Sequence, residues 1–311
     1  MSLNLPKKVY LKEVGTRDGL QIEKVFTPTE KKITLCNMLS ECGFNDMQFT
    51  AFVHPKAVPN MADSLEVTQK INRTPGMMYS ALVPNKKGYI NANKAGIKKV
   101  EMTMSATESH SLSNLNCSTE DSLVRIKECL ELGLDTQLIV GLAVTFGCPF
   151  EGRPSFERIA SIINELNAMG IKEVGLCDTS GVADPKQVYE FSSRLMDMYP
   201  DIMYYFHVHN THGTGMANVL AAMEAGITHI DTSIAGLGGC PYAPGASGNL
   251  ATEDVAQMLA YMDVETGLDI DKLIEAAKYA ADAVGHSDSC TLRAGKMNHL
   301  VEGGPKLQHN E

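Results

Sequence analysis

The sequence has no apolar run long enough to cross a bilayer and no apolar signal core near its start. Its eight cysteines form no Cys-x-x-Cys pair, and several, such as Cys36 and Cys129, sit in apolar runs that are typical of buried free thiols. These absences argue against a disulfide framework and predict a soluble protein of a reducing, cytoplasmic compartment with no membrane partner. A formal net charge of −10 also argues against binding to nucleic acid.

Short β-rich runs alternate with amphipathic helical segments along most of the chain, which predicts a (β/α)₈ TIM barrel. The expected strands are 9–14, 46–52, 77–83, 99–105, 137–145, 173–178, 203–208 and 229–234. After Glu253 the pattern is helical only, at 254–262 and 269–283, which predicts additional C-terminal helices. We expect residues 1–302 to form one catalytic domain and residues 303–311 to be a disordered tail.

A doubly wound open sheet is the alternative fold. Its phosphate-binding turn after the first strand needs small residues, whereas the turn here contains Arg17 and Asp18. The barrel is therefore the favoured interpretation.

Two histidines alternate at the end of the seventh expected strand, so His207 and His209 point to the same face. Barrel active sites lie at the carboxyl ends of the strands, where Asp18 and Asn249 also fall. These four side chains form a mixed oxygen and nitrogen ligand set that suits Mg²⁺ or Mn²⁺ and tolerates Co²⁺ or Zn²⁺. Taken one at a time, each residue could equally serve a turn or a cap.

Further polar residues fall at the same end of the expected barrel. Arg17 would place a permanent cation beside the metal, which suits stabilisation of an oxyanion or enolate, although a salt bridge would also explain it. Gln48 lies near the end of the second strand, and Asp178 ends the sixth. A glycine-rich loop after the eighth strand contains Cys240, which could protonate a carbanion once the loop closes.

Several segments together resemble the 3-hydroxy-3-methylglutaryl-CoA lyases, which are metal-dependent barrel lyases with an Asp-Arg-Glu motif. The resemblance extends from about Pro6 to Ile274. Its most specific segments are Glu-Val-Gly-Thr-Arg-Asp-Gly-Leu-Gln at 13–21, Phe-Val-His-Pro-Lys at 52–56, Gly-Cys-Pro-Phe-Glu-Gly at 147–152, Leu-Cys-Asp-Thr-Ser-Gly at 176–181 and the glycine loop at 236–249. That loop separates these lyases from the related Claisen synthases, which share the barrel and the paired histidines.

The resemblance implies a role for each site residue. The implied metal ligands are Asp18, His207, His209 and Asn249. Arg17 would stabilise a thioester enolate, Cys240 would protonate it, and Asp178 would lie near the substrate hydroxyl. The implied contacts to coenzyme A phosphates are Lys24, Asn85, Lys86 and Lys87.

The implied reaction is a retro-Claisen cleavage of a 3-hydroxyacyl-CoA to acetyl-CoA and a keto acid, which is acetoacetate for the usual substrate. His207 is the expected base, with Asp18 and Asp178 as competitors. The implied assembly is a homodimer.

The chain departs from the family pattern at three positions. Gln48 stands where the family has glutamate, Asn210 where it has aspartate, and Ala51 where it has serine. We therefore expect a site with up to two fewer negative charges. The open alternatives are a lyase for a different 3-hydroxyacyl-CoA, a low-activity or non-catalytic member, a Claisen-type synthase and an aldolase acting on free 2-oxo acids. Cys240 in its loop argues against the synthase.

Overall fold

The structure, a computed structural model, describes residues 4–239 and 248–296. Eight parallel strands close into a barrel in the order β1-β2-β3-β4-β5-β6-β7-β8. They are β1 Tyr10–Glu13, β2 Asp46–Ala51, β3 Met78–Leu82, β4 Lys99–Ser105, β5 Gln137–Ala143, β6 Glu173–Cys177, β7 Met203–His207 and β8 His229–Thr232. The predicted (β/α)₈ barrel is confirmed, and every predicted strand end lies within two residues of the observed one.

The helices lie between the strands and after the last one. They are α1 Thr29–Ser40, α2 Ser64–Lys70, α3 Lys86–Lys94, α4 Glu108–Leu115, α5 Thr119–Leu130, α6 Phe156–Ala168, α7 Pro185–Met198, α8 Gly215–Glu224, α9 Thr252–Tyr261, α10 Ile270–Val284 and α11 Cys290–Ala294. The two helical segments expected after Glu253 are α9 and α10, and α11 was not predicted. In the described part of the chain, no helix combines the length and the apolar character of a membrane span.

Side-chain oxygens cap the first turns of α5 and α7. Ser118 forms a reciprocal capping box with Asp121 at α5, and Asp184 caps α7 by accepting the Gln187 N–H at 3.0 Å. Helix α1 differs, because the residue before it is Pro28, which has an extended ψ of 138° and no side-chain hydrogen bond to the helix.

Several strands place polar or charged side chains in the barrel interior. Alternate residues of each strand face inward, and Lys12, Gln48, Glu101, Tyr205 and Asp231 do so. Their neighbours in sequence belong to the hydrophobic core, among them Leu11, Met47, Val100, Phe206 and Ile230. A buried charge requires a partner, so these inward residues must pair with one another across the barrel.

Candidate active site

Arg17 and Asp18 are placed by a single π-helical turn, Gly15–Gly19, which directly follows β1. The sequence predicted a simple turn here. The Asp18 N–H donates to the Val14 carbonyl at 2.7 Å, which closes the turn. A side chain at Gly15 would meet Glu13 Oε1 at 2.7 Å and Ser233 Oγ at 2.8 Å, so only glycine fits. The turn therefore fixes both charged side chains at the carboxyl end of the barrel.

The structure brings Asp18, His207 and His209 together, with one ligand atom of each within 4.8 Å of the others. The Nε2 atoms of the two histidines lie 3.2 Å apart, and His207 Nε2 lies 3.7 Å from Asp18 Oδ2. Asn249 joins them because it forms an isolated β-bridge with His209 and its Nδ2 donates to Asp18 Oδ2 at 2.7 Å. All four sequence-predicted metal ligands thus meet at one place.

The chemistry of this cluster fits a divalent cation. Burial and the nearby His207 lower the pKa of His209 to about 3, which keeps that imidazole neutral and able to act as a ligand. Burial opposes ionisation of Asp18, but Arg17 and the histidines outweigh it and hold its pKa below the usual value. The Oδ1 of Asn249 is buried and has no hydrogen-bond partner within residues 4–239 and 248–296. An anionic oxygen, imidazole nitrogens and a spare amide oxygen are the ligands expected for Mg²⁺ or Mn²⁺.

Asp231 orients His207 from inside the barrel. Its Oδ2 lies 3.3 Å from His207 Nδ1, and Lys12 Nζ approaches the same oxygen at 3.5 Å. Burial opposes protonation of His207, but the carboxylates of Asp231 and Asp18 raise its pKa overall. Such a carboxylate behind a metal-binding histidine fixes which ring nitrogen faces the cation. Asp231 was not predicted from the sequence, although an acidic residue within a buried parallel strand was an available signal.

Arg17 lies beside the cluster and is held on two sides. Its Nη1 donates to Asp18 Oδ1, and its Nε donates to Gln48 Oε1. Gln48 is completely buried and donates in turn from Nε2 to Glu101 Oε2 at 2.9 Å. Gln48 therefore contacts Arg17 rather than a metal ligand, and the structure places a carboxylate, Glu101, directly behind it.

Asp178 serves its own loop in this structure. Its Oδ1 accepts the backbone N–H groups of Val182 at 3.0 Å and Ala183 at 3.1 Å. Burial raises its pKa to about 6 against the opposing effect of these donors. Its backbone N–H donates to the His207 carbonyl at 2.9 Å, so it lies on the strand end next to the cluster. Oδ2 makes one longer contact, at 3.3 Å, and is the less engaged oxygen.

The residues predicted to contact coenzyme A come after two of the strands. Lys24, Lys86 and Lys87 are exposed and follow β1 and β3, at the end of the barrel that bears the cluster. Asn85 caps α3 by accepting the Gly88 N–H at 3.1 Å. Cys240 lies outside the described residues.

The other two departures from the family pattern are Asn210, which follows β7, and Ala51, which ends β2. The Oδ1 of Asn210 accepts the Gly215 N–H at 3.0 Å, at the start of α8. Ala51 is fully buried at the end of β2. The hydrogen bond indicates a capping role for Asn210, and the burial indicates a packing role for Ala51.

A closed parallel barrel with a candidate divalent-metal cluster and an arginine at the carboxyl ends of its strands defines a barrel enzyme of the metal-dependent class. The chain also matches the HMGL-like family model over residues 8–279. The protein belongs to the HMGL-like family.

Its relatives include hydroxymethylglutaryl-CoA lyases. The YngG enzyme of Bacillus subtilis is 43% identical over 284 residues, which cover 90% of this chain and 94% of that protein. The mitochondrial enzyme of Bos taurus is 43% identical over 281 residues, covering 90% of this chain and 86% of that protein. A solved A. baumannii HMG-CoA lyase, in complex with coenzyme A and 3-methylmalate, superimposes with a TM-score of 0.89 at 39% identity, covering 94% of this chain and 96% of that one.

Proposed function

We propose that this protein is a carbon–carbon lyase that cleaves 3-hydroxy-3-methylglutaryl-CoA to acetyl-CoA and acetoacetate. The observation that carries the proposal is the cluster of Asp18, His207 and His209 with Arg17 beside it. It occurs in a chain that is 43% identical to a hydroxymethylglutaryl-CoA lyase over 90% of its length. Coenzyme A in the A. baumannii relative supports a thioester substrate.

Asp18, His207, His209 and Asn249 would hold the ion, for which we propose Mg²⁺ or Mn²⁺. When bound, the ion supplies Lewis-acid polarisation of a chelated carboxylate and tertiary hydroxyl. Asp231 keeps His207 Nε2 directed toward the cluster, because it engages the other ring nitrogen. His207 therefore acts as a ligand, and the base role that the sequence suggested for it falls to another residue.

We assign the base to Asp178, whose Oδ2 is the less engaged oxygen and whose pKa is raised by burial to about 6. Asp178 removes the hydroxyl proton, and the hydroxyl carbon becomes the ketone of the keto acid as the carbon–carbon bond breaks. The electron pair of that bond passes to the thioester fragment, which becomes an enolate. Arg17 stabilises the enolate charge. The thiol of Cys240 is the proposed proton donor to the enolate carbon, which yields acetyl-CoA.

The coenzyme A moiety would bind along the end of the barrel that bears the cluster. Lys24, Lys86 and Lys87 are exposed cations in the segments after β1 and β3, where they can meet phosphate groups. Asn85 contributes indirectly by capping the helix that presents the two adjacent lysines. Charge reversal at Lys86 and Lys87 should raise KM with little change in kcat, because contacts to the coenzyme phosphates would be equally strong in the ground state and the transition state.

We further infer the organisation of the whole protein. Residues 1–302 would form one catalytic domain with 303–311 as a tail, and two copies would associate as a homodimer. The compartment would be a reducing cytoplasm, which is consistent with the seven described cysteines being free thiols. Light scattering on the purified protein tests the dimer.

The activity is tested by following acetyl-CoA release from 3-hydroxy-3-methylglutaryl-CoA in the presence of Mg²⁺ or Mn²⁺. A panel of other 3-hydroxyacyl-CoA esters and free 2-oxo acids provides the comparison. We expect the highest kcat/KM for the named substrate and loss of activity with a chelator. A protein that binds Mn²⁺ but releases no acetyl-CoA from that substrate contradicts the proposal, and turnover of another ester identifies the alternative lyase.

The base assignment has its own test. Asp178→Asn should lower kcat by about 100-fold, which is within the usual range for a general base, while leaving Mn²⁺ affinity unchanged. Loss of Mn²⁺ affinity in this variant would instead indicate that Asp178 only supports the strand ends around His207.

A further inference from the structure

Gln48 lies inside the barrel between a hydrogen-bond donor and a hydrogen-bond acceptor, so its side chain must accept one hydrogen bond and donate another. Its Oε1 accepts from Arg17 Nε, and its Nε2 donates to Glu101 Oε2 at 2.9 Å. Gln48 is completely buried, and Arg17 is only 5% exposed. A guanidinium can only donate and an ionised carboxylate can only accept, so the residue between them needs both functions. An amide has both, whereas a glutamate at this position would lack the donor.

Glu101 is itself held in place from the opposite side. Lys12 Nζ donates to the same Oε2 at 3.2 Å and also approaches Asp231 Oδ2 at 3.5 Å. Burial alone would lower the pKa of Lys12, but Asp231 and Glu101 raise it overall, so Lys12 stays charged. A side chain at Gly141 would meet Glu101 Oε1 at 2.7 Å, so the missing Cβ leaves room for the carboxylate. The carboxylate of Glu101 is thus fixed between a lysine and an amide.

We propose that Glu101 and Gln48 together position Arg17, with the buried negative charge behind Arg17 supplied by β4 rather than by residue 48 itself. Both are positioning residues, because they act through Arg17 and do not touch the metal ligands. The inference rests on the proposed lyase function. It also explains why residue 48 is a glutamine: the carboxylate of Glu101 next to it needs a hydrogen-bond donor, and Glu101 supplies the negative charge that residue 48 lacks.

This arrangement has a consequence for catalysis. Among the residues that the structure describes, the guanidinium of Arg17 contacts one carboxylate directly, that of Asp18, and its other side-chain contact is the neutral amide of Gln48. Less of its charge is neutralised than it would be between two carboxylates, so more remains to stabilise a developing enolate. Displacement of Arg17 should therefore reduce kcat more than it changes KM.

The test is a swap of the two side chains. Gln48→Glu places two carboxylate oxygens where a 2.9 Å hydrogen bond now lies, and we expect kcat to fall about tenfold or more, with a lower Tm. In the double variant Gln48→Glu, Glu101→Gln, the glutamine at 101 can donate to the new carboxylate and still accept from Lys12. We expect its kcat to return to within about threefold of that of Glu101→Gln alone.

The chain contains a control at the other end of the barrel, where Gln137 is exposed whereas Gln48 is buried. Gln137 Nε2 donates to Glu173 Oε2 at 3.2 Å, and Glu173 pairs with Lys99 at 2.5 Å. The trio repeats the Gln–Glu–Lys chemistry at the amino ends of β4, β5 and β6, whereas Arg17 follows the carboxyl end of β1. Gln137→Glu and Glu173→Gln should affect Tm while leaving kcat within about twofold of the original, since additivity holds for distant sites.

The outcomes separate this inference from the function on which it rests. If the unsubstituted protein releases no acetyl-CoA, the function fails, and the coupling of residues 48 and 101 is then judged from Tm alone. A Gln48→Glu variant with unchanged or higher kcat and unchanged Tm overturns the inference. A double variant whose loss equals the product of the two single losses, in kcat and Tm alike, overturns it as well. Loss of kcat in the Gln137 and Glu173 controls would show a general effect of barrel stability rather than positioning of Arg17.

Discussion

At the scale of single residues, the metal ligands depend on side chains behind them. Asp231 contacts the ring nitrogen of His207 that faces away from the cluster, and it is only 1% exposed. Removing such a carboxylate leaves the imidazole free to rotate or to present the wrong tautomer. The affinity of the site for a divalent cation should therefore depend on Asp231, which is not itself a proposed ligand.

Asp231→Asn should lower Mn²⁺ affinity by about 10- to 100-fold, because the amide orients His207 less firmly and lacks the charge. Electron paramagnetic resonance of free Mn²⁺ during a titration measures the change. Asp46→Asn is the control, since Asp46 also lies inside the barrel and pairs with Lys99 at 3.0 Å but is not bonded to His207. Equal losses in both variants would show that the effect comes from general damage to the interior.

Prediction from sequence succeeded for residues that lie at or after the carboxyl end of a strand. Strand alternation and the rule that barrel sites lie at carboxyl ends were sufficient to bring Asp18, His207, His209 and Asn249 together. The same rules could not identify Lys12, Glu101 or Asp231, because their function depends on pairing across the barrel rather than along the chain. Gln48 could be recognised as unusual, but the carboxylate that explains it became visible only in three dimensions.

At the scale of elements, the π-helical turn Gly15–Gly19 is the part that the sequence did not reveal. The strands were predictable because parallel strands are apolar, short and separated by helices. A π-helical turn depends on local packing instead. Glu13 Oε1 accepts both the Gly15 N–H at 2.7 Å and the Ile234 N–H at 2.8 Å, which ties the turn to the segment after β8.

Gly15→Ala should cost about 1–3 kcal/mol of unfolding free energy, because its Cβ would lie 2.8 Å from both Ser233 Oγ and Ile234 Cγ2. Mn²⁺ affinity should fall with it, since Asp18 is carried by the same turn. Chemical denaturation and a Mn²⁺ titration give the two values.

Gly96→Ala is the control for this prediction. Gly96 has a φ of +81° and nothing within 4 Å of the added Cβ, so the cost there is about 1 kcal/mol of backbone strain. Its Mn²⁺ affinity should stay unchanged. Unchanged affinity in Gly15→Ala would show that the turn does not set the position of Asp18.

At the scale of the whole molecule, two buried carboxyl groups make stability depend on pH. Burial raises the pKa of Glu13 to about 8 and that of Glu253 to about 7. Both values exceed those of the unfolded chain, which lie near 4.3. The stability that these groups contribute is therefore complete below that lower value and is lost as the pH rises through 7 and 8.

Glu253→Gln should make the unfolding free energy less dependent on pH between about 5 and 7, the range between the unfolded and folded pKa values, with a slope smaller by up to about 1.4 kcal/mol per pH unit. The amide can keep the contact in which Glu253 Oε2 accepts the Ala235 N–H at 3.1 Å. Urea unfolding at several pH values measures the slope. Glu275→Gln, on an exposed position of α10, should leave it unchanged. An unaltered slope in Glu253→Gln would mean that Glu253 does not titrate in this range.

The most direct test of the whole account is the position of a bound cation. We expect crystals grown with Mn²⁺ to show one strong anomalous difference peak at the barrel end, bonded at roughly 2.0–2.4 Å by Asp18, His207, His209 and Asn249. The remaining coordination positions should face the opening of the barrel. A peak elsewhere, or one that Asp18 and Asn249 do not reach, would contradict the assignment of this protein as a metal-dependent lyase.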